Sequence, residues 1–428
     1  MEIGVIGLGY VGLPTAIILA YTGNNVIGYD INKEKINNLK LGLMPFVENN
    51  LSDYFNKVYN SNLILTNNLE NVVNNSNVIY ISVPTPSGKN KQADLSYLFK
   101  VIENLSKFNN INSKIIVIKS TIPVGTCDNI EKKYSNMKII FIPEFLQEGK
   151  AIENLLNPDR IIIGIDEENN KIKNIFKSIY INQNIIFMSR KSAELVKYAS
   201  NGFLALKITY INQIADLCEK CNANVWDVAK GIGLDKRIGT LFLNASVGYG
   251  GSCFPKDTNA FAYFAKKYYS KMSIIEEVIN INNKRISYIP NKILKYIYKK
   301  NNKNILFLGL AFKGGTADLR ESPSLKIIDK FYQKVKYNSN IQINIYDVYN
   351  ALYPLKKEKI NQIFDLKNAL EDANIIIVLT RDEYWKQNIL NKHLKKCNTI
   401  IDYSGLLNKN DFDEKITFYQ VGVNNNNE

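Results

Sequence analysis

Short, mostly apolar runs, rich in Ile and Val, recur through the first part of the chain at residues 3–6, 25–30, 78–83, 115–120 and 139–142. Runs of this length predict buried strands, and the helical stretches between them predict a parallel sheet covered on both faces. The pattern changes from 193 to 221. There Leu195, Ala199, Phe203, Leu206, Tyr210, Ile214 and Leu217 recur at helical spacing, which predicts one long helix connecting two domains. Helical spacing returns from 257 to about 299. Strand-like runs resume at 304–308, 341–346, 375–379 and 399–401. The expected architecture is α/β: two doubly wound, Rossmann-like parallel-sheet domains joined by a helical central region. The expected boundaries are 1–190, 191–300 and 301–428, with a disordered polar tail from 423.

The first strand runs into Gly7-Leu8-Gly9-Tyr10-Val11-Gly12, and a helical stretch follows. Gly7 suits a tight turn, Gly9 lets the backbone approach a pyrophosphate, and Gly12 allows close packing of helix on strand. The helix start offers free N–H groups to phosphate. The second strand ends in Asp30, about 20 residues beyond the glycines, where a carboxylate accepts from the adenosine 2′-hydroxyl. The same carboxylate repels a 2′-phosphate, so NAD is expected rather than NADP. Three later strands end in polar segments: Pro84-Thr85-Pro86, Thr121 to Gly125, and Pro143-Glu144-Phe145-Leu146-Gln147-Glu148. Ligands bind at the carboxyl ends of such strands, which singles out Thr85, Thr121, Glu144 and Glu148.

Composition narrows the chemistry. The chain has 428 residues and a single histidine, His393, in a polar stretch near the C-terminus, which argues against a Ser-His-Asp triad and excludes histidine-rich metal sites. Five cysteines do not make a disulfide scaffold, and the CxxC at Cys218 and Cys221 has no second ligand pair. No metal is expected. The net charge of +14 is spread among Asn and Ile instead of forming a basic stripe, so nucleic acid is not an expected partner. Residues 3–20 lack a positive leader and are interrupted by glycines and a proline, which argues against a signal peptide or a membrane span. A cytoplasmic protein is expected.

The most informative stretch is Gly248-Tyr249-Gly250-Gly251-Ser252-Cys253-Phe254-Pro255-Lys256-Asp257. A thiol among glycines, followed by a cation and a carboxylate, suits covalent capture of an oxidised substrate. With no histidine nearby, thiolate formation must draw on positive charge from Lys256 and the cofactor.

Taken in order, these motifs resemble the UDP-glucose and GDP-mannose dehydrogenases. The resemblance rests on the glycine-rich turn, Val83-Pro84-Thr85-Pro86, Ser120-Thr121-Ile122-Pro123-Val124-Gly125, Pro143-Glu144-Phe145-Leu146, Gly250 to Asp257, and Lys313 with Arg320-Glu321-Ser322-Pro323. It implies a four-electron oxidation of a sugar C6 alcohol to a carboxylate, with two NAD+ reduced in succession. By resemblance Cys253 is the nucleophile, Lys197 and Asn201 steady the oxyanion, Asp257 and Thr121 relay protons through water, and Glu144 serves thioester hydrolysis. Cofactor contacts fall on Gly7, Gly9, Tyr10, Val11, Gly12, Asp30, Lys35, Thr85, Thr121, Glu148, Lys256 and Arg320. Substrate contacts fall on Glu144, Phe145, Leu146, Lys197, Asn201, Phe242, Ser246, Tyr249, Gly250 and Lys313, with Arg237 reaching a neighbouring subunit's site in a homodimer.

Within the family the thiol segment is most similar to members acting on UDP-glucose. Members acting on UDP-N-acetylhexosamines or GDP-mannose are the alternatives, and Gly314-Gly315 departs from the usual pattern after Lys313. A single-step NAD-linked hydroxyacid dehydrogenase with a structural Cys253 is a further rival. It releases one NADH per substrate instead of two.

Overall fold

The computed structural model describes residues 1–166, 169–300, 303–354 and 357–424. Its contacts divide the chain into two compact units, residues 1–200 with 263–270, and residues 201–262 with 271–428.

The first unit is built on strands β1 (Glu2–Ile6), β2 (Asn25–Tyr29), β3 (Leu63–Thr66), β4 (Val78–Ile81), β5 (Ile115–Ile118), β6 (Lys138–Phe141), β7 (Ile161–Gly164) and β8 (Ile185–Met188). Among the described residues they form one sheet in the order β3-β2-β1-β4-β5-β6-β7-β8. Side chains alternate between faces. Val78 and Tyr80 pack with Leu13 and Ile17 of the helix Gly12–Tyr21, while Ile79 and Ile81 pack with Leu98, Ile102 and Leu105 of the helix Ser96–Ser106. All four β4 residues are buried, which is why the run carries no polar positions. Strand order reverses between β1 and β4, the switch point where such sheets open a ligand crevice. One pairing departs from the parallel expectation: β7 runs antiparallel to β6.

The second unit holds a parallel sheet in the order β11-β10-β9-β12-β13-β14, from β9 (Asn304–Leu308), β10 (Gln342–Tyr346), β11 (Ile360–Gln362), β12 (Ile375–Val378), β13 (Thr399–Asp402) and β14 (Thr417–Gln420). Its opening turn repeats the logic of the first. Asp347, after β10, accepts from the Leu310 and Ala311 amides just beyond β9, at 2.8 and 3.3 Å, as Asp30 accepts from the Leu8 amide at 3.0 Å.

The connecting helix spans Arg190–Cys221. Its buried apolar positions are Ala193, Tyr198, Ala205, Ile211, Ala215 and Cys218. Leu195, Phe203, Tyr210 and Leu217, from the stripe expected at helical spacing, stand exposed instead. The helix is apolar on two sides, and the sequence period alone does not say which side meets the core. Of the tail expected to be disordered, Val423 pairs with Asn224, and residues 425–428 lie outside the described residues.

Candidate active site

In the first unit, Gly7 has a φ of +91° and turns the chain off β1. A Cβ on Gly12 would lie 1.8 Å from the Gly7 carbonyl oxygen, so only glycine lets the helix start this close to the strand. Gly9 has open space where a Cβ would be. The helix Gly12–Tyr21 has no side-chain cap and no acid in its first turn; Leu13 N donates to the Gly9 carbonyl at 3.0 Å and Pro14 has no N–H, which leaves the Gly12 amide to face an anion. These residues fit a dinucleotide pyrophosphate. Asp30 is buried, with Oδ1 accepting from Asn32 N at 3.0 Å and Oδ2 paired with Lys35 Nζ at 2.7 Å. Lys35 therefore fixes the carboxylate assigned to the ribose.

The ends of β4 and β5 are tied together. Ser120 Oγ donates to the Val83 carbonyl at 2.7 Å and ties the end of β5 to the segment carrying Thr85. Thr85 and Thr121 are both buried. After β6, Glu144 is 7% exposed, and its Oε1 lies 2.9 Å from Lys197 Nζ, which also donates to the Glu144 carbonyl at 2.7 Å. Glu144 Oε2 accepts from Leu146 N at 2.7 Å. Burial pushes the Glu144 pKa up, but Lys197, the Leu146 amide and Lys119 outweigh it and hold the carboxyl below its ordinary value. Phe145 is flanked by Arg160, 3.9 Å from its ring centre, and by Lys197 at 5.3 Å. Glu144, Phe145, Leu146 and Lys119 line a cavity of about 390 Å³. Burial lowers the Lys119 pKa to about 8, with Lys197 adding to the shift and Glu144 opposing it. Glu148 is half-buried in the same segment.

In the second unit, Cys253 sits half-buried at the start of the helix Phe254–Lys267, where its carbonyl accepts the Asp257 amide at 2.8 Å. Ser252 Oγ is 3.6 Å from its sulfur. Asp257 is 1% exposed: Oδ2 accepts from Asn201 Nδ2 at 2.6 Å, and Oδ1 lies 2.7 Å from Lys256 Nζ. A Cβ on Gly250 would fall 2.4 Å from the Glu321 carbonyl and 2.5 Å from Pro323, so glycine seats the thiol turn directly on the segment that carries Lys313 and Arg320. Arg320 is held by Asp318 through Nε and Nη2, at 2.9 and 2.6 Å, and Lys313 lies over the Phe312 ring. Phe242 and Tyr249 both pack edge-on against Phe254. Arg237 stands at the surface, its side chain 89% exposed and bonded to Asp235 of its own turn.

Several positioning residues carried no signal in the sequence. Asn282 clamps the Tyr249 backbone, accepting its N–H at 2.9 Å and donating to its carbonyl at 3.1 Å. Asn212 accepts the Ser246 N–H at 2.8 Å, and Arg285 donates to the Ser246 carbonyl at 2.8 Å. Glu194 accepts from the Gly125 and Cys127 amides at 2.6 and 2.9 Å, anchoring the loop after Thr121.

Comparison with known proteins agrees with this arrangement. Models of the UDP-glucose/GDP-mannose dehydrogenase family match residues 1–184 as the NAD binding domain, 191–284 as the central domain and 306–409 as the UDP binding domain. A UDP-glucose 6-dehydrogenase from Rickettsia conorii is 38% identical over 441 residues, covering 99% of each chain. A UDP-glucose dehydrogenase structure from Pyrobaculum islandicum has a TM-score of 0.87 at 28% identity, covering 99% of this chain and 98% of that one. A UDP-D-ManNAc dehydrogenase structure from Pyrococcus horikoshii has a TM-score of 0.84 at 26% identity and covers 99% of both. With all three domain models in register along the sequence, the chain belongs to the UDP-glucose/GDP-mannose dehydrogenase family.

Proposed function

We propose that the chain oxidises UDP-glucose at C6 to UDP-glucuronate, using two NAD+ and one water. The observation that carries this reading is the thiol turn. Cys253 stands at a helix start, Asp257 and Asn201 form a buried pair one turn deeper, and glycine seats the turn on the segment of Lys313 and Arg320 in the matched UDP binding domain.

NAD+, held by Gly7, Gly9, Tyr10, Val11, Gly12, Asp30, Lys35, Thr85, Lys256 and Arg320, supplies the hydride acceptor. The chain's own residues do the rest. Asp257 and Thr121 draw the C6 hydroxyl proton away through water while Lys197 and Asn201 steady the oxygen, leaving an aldehyde as the first hydride departs. The Cys253 sulfur adds to the aldehyde carbon, and the helix N-terminus supplies the positive potential that favours a thiolate. Loss of the second hydride from this thiohemiacetal gives a thioester. Water, activated by Glu144 as carboxylate, breaks the C–S bond, releasing the acid and returning the thiol. Glu148 would lie on the nicotinamide side. Phe145, Leu146, Phe242, Ser246, Tyr249, Gly250 and Lys313 hold the nucleotide sugar.

The active form is a homodimer. Phe203, Tyr210 and Leu217 repeat every seven residues along the connecting helix and are exposed, as are Leu234, Ile238 and Leu241 beside Arg237. A two-fold interface over this surface accounts for an exposed Arg237 that serves a neighbour's substrate. No helix among the described residues is long and apolar enough to cross a membrane. With reduced thiols and an NAD-linked reaction, we assign the enzyme to the cytoplasm.

The test is a spectrophotometric screen of UDP-glucose, UDP-N-acetylhexosamines and GDP-mannose with NAD+. UDP-glucose should give the highest kcat/KM. Preference for an N-acetylated sugar would move the substrate assignment within the family.

A further inference from the structure

One segment of the first unit touches both the cofactor turn and the loop after β6. Residues 44–50 are irregular, with a bend at Pro45 and Phe46 and a turn at Asn49 and Asn50; Phe46 and Glu48 face inward and Pro45, Val47 and Asn49 outward. Phe46 stacks on Tyr10 of the glycine-rich turn, with ring centres 4.1 Å apart and planes at 25°. Two residues on, Glu48 is 9% exposed, and its two oxygens take different backbone amides: Oε2 accepts from Gly149 N at 2.7 Å and Oε1 from Ala151 N at 2.8 Å. Asn49 Nδ2 donates to the Gly149 carbonyl at 2.8 Å. The loop from Glu144 to Ala151 is thus fixed at both ends. Lys197 and the Leu146 amide hold Glu144 at the front, and Glu48 holds the rear, just past Glu148.

A carboxylate accepting two backbone amides is a charge-assisted, geometrically specific tie. It lies 101 and 103 residues from its two partners in sequence, so loop-forming propensity does not require it. The stacked ring at the other end of the segment carries the same constraint to Tyr10.

We propose that residues 45–50 form a brace that sets the Glu144–Glu148 loop against the cofactor turn, with Glu48 as its positioning residue for hydride transfer. This rests on the reading above, in which that loop borders the reacting carbon and the nicotinamide. Glu48 touches neither substrate nor cofactor and acts through the loop.

Glu48→Gln is the informative change. Glutamine keeps the size but replaces one acceptor oxygen with an NH2 group, which meets an N–H head-on, so one of the two ties must break. Amide exchange at Gly149 and Ala151, followed by hydrogen–deuterium exchange, should speed up about tenfold or more. With UDP-glucose deuterated at C6, kcat should fall by roughly 10- to 100-fold and its isotope effect should rise, because misplacement of the reacting groups slows the hydride step itself. The KM for UDP-glucose should move far less. Phe46→Leu breaks the other end, leaving the Glu48 bonds in place. It should raise the isotope effect without changing exchange at Gly149, and it serves as the test if Glu48→Gln does not fold.

Unchanged exchange at Gly149 and Ala151 in Glu48→Gln would overturn the tie. Faster exchange with parental kcat and isotope effect in both variants would reduce the brace to a helix cap. The exchange measurement needs no turnover. A parental enzyme that produces no NADH from UDP-glucose would therefore indict the proposed function and leave the tie to be judged by exchange alone.

Discussion

Replacing Lys197 with methionine removes one half of a buried ion pair and leaves Glu144 as the cost. The pair is tight, with Nζ 2.9 Å from Oε1, and Lys197 and Glu144 are 3% and 7% exposed. Breaking such a pair from one side costs about 3–5 kcal/mol. Lys119 and the Leu146 amide still act on Glu144, so the lower end, about 3 kcal/mol, is expected. The loss should depend on pH. In the parent the Glu144 pKa is held below its ordinary value, so its ionisation contributes stability above the ordinary carboxylate range, and this is lost as pH falls through the folded value. In Lys197→Met, burial prevails and the folded pKa rises above the ordinary value. Ionisation then works against folding at neutral pH and ceases to matter in acid. The gap between parent and variant should be widest near neutrality and close as the pH falls toward about 4.

Adding Glu144→Gln to Lys197→Met removes the stranded charge, and the double variant should be more stable than Lys197→Met alone by about 2 kcal/mol. Both tryptophans, Trp226 and Trp385, lie in the second unit, so their fluorescence reports the wrong region. Hydrogen exchange of the β5 and β6 amides in denaturant is the suitable assay. Strictly additive single-variant losses, or a gap that does not shrink in acid, would refute the reasoning.

Two further outcomes follow from other parts of the molecule. Asp30→Ser should narrow the preference for NAD+ over NADP+ by about tenfold or more in kcat/KM, because Lys35 is released from its 2.7 Å pair and becomes available to a 2′-phosphate; an unchanged ratio would show that Asp30 does not read the ribose. Phe203→Glu places a charge in the exposed stripe of the connecting helix and should shift the protein to monomers by light scattering, with loss of activity; a dimer of parental strength would put the interface elsewhere.

Much of the fold is legible because it is local. The runs at 78–83, 115–120 and 139–142 appear as β4, β5 and β6, and the glycine turn and Asp30 occupy the positions their spacing implies. β14, with the sequence Thr-Phe-Tyr-Gln, carries no continuous apolar run and was not expected. The connecting helix follows from the spacing, but the spacing does not say which side is buried, since Tyr198, Ile211 and Cys218 are also apolar and are buried.

The candidate site is legible where motif residues sit together in sequence, as in residues 250–257. It is illegible where polar side chains cross long distances. Asn282, Arg285 and Glu48 belong to no motif and no spacing pattern. Only the fold brings them onto the backbone of Tyr249, Ser246 and Gly149. A buried polar group needs a partner, but the sequence does not say which partner it finds.

The central claim is covalent four-electron oxidation at Cys253. Its most direct measurement is the NADH yield per UDP-glucose consumed, with product identified by mass, for the parent and for Cys253→Ala. Two NADH and UDP-glucuronate are expected from the parent, and from Cys253→Ala no net acid with NAD+ binding retained. One NADH per substrate in the parent, or two at near the parental rate in Cys253→Ala, would contradict it.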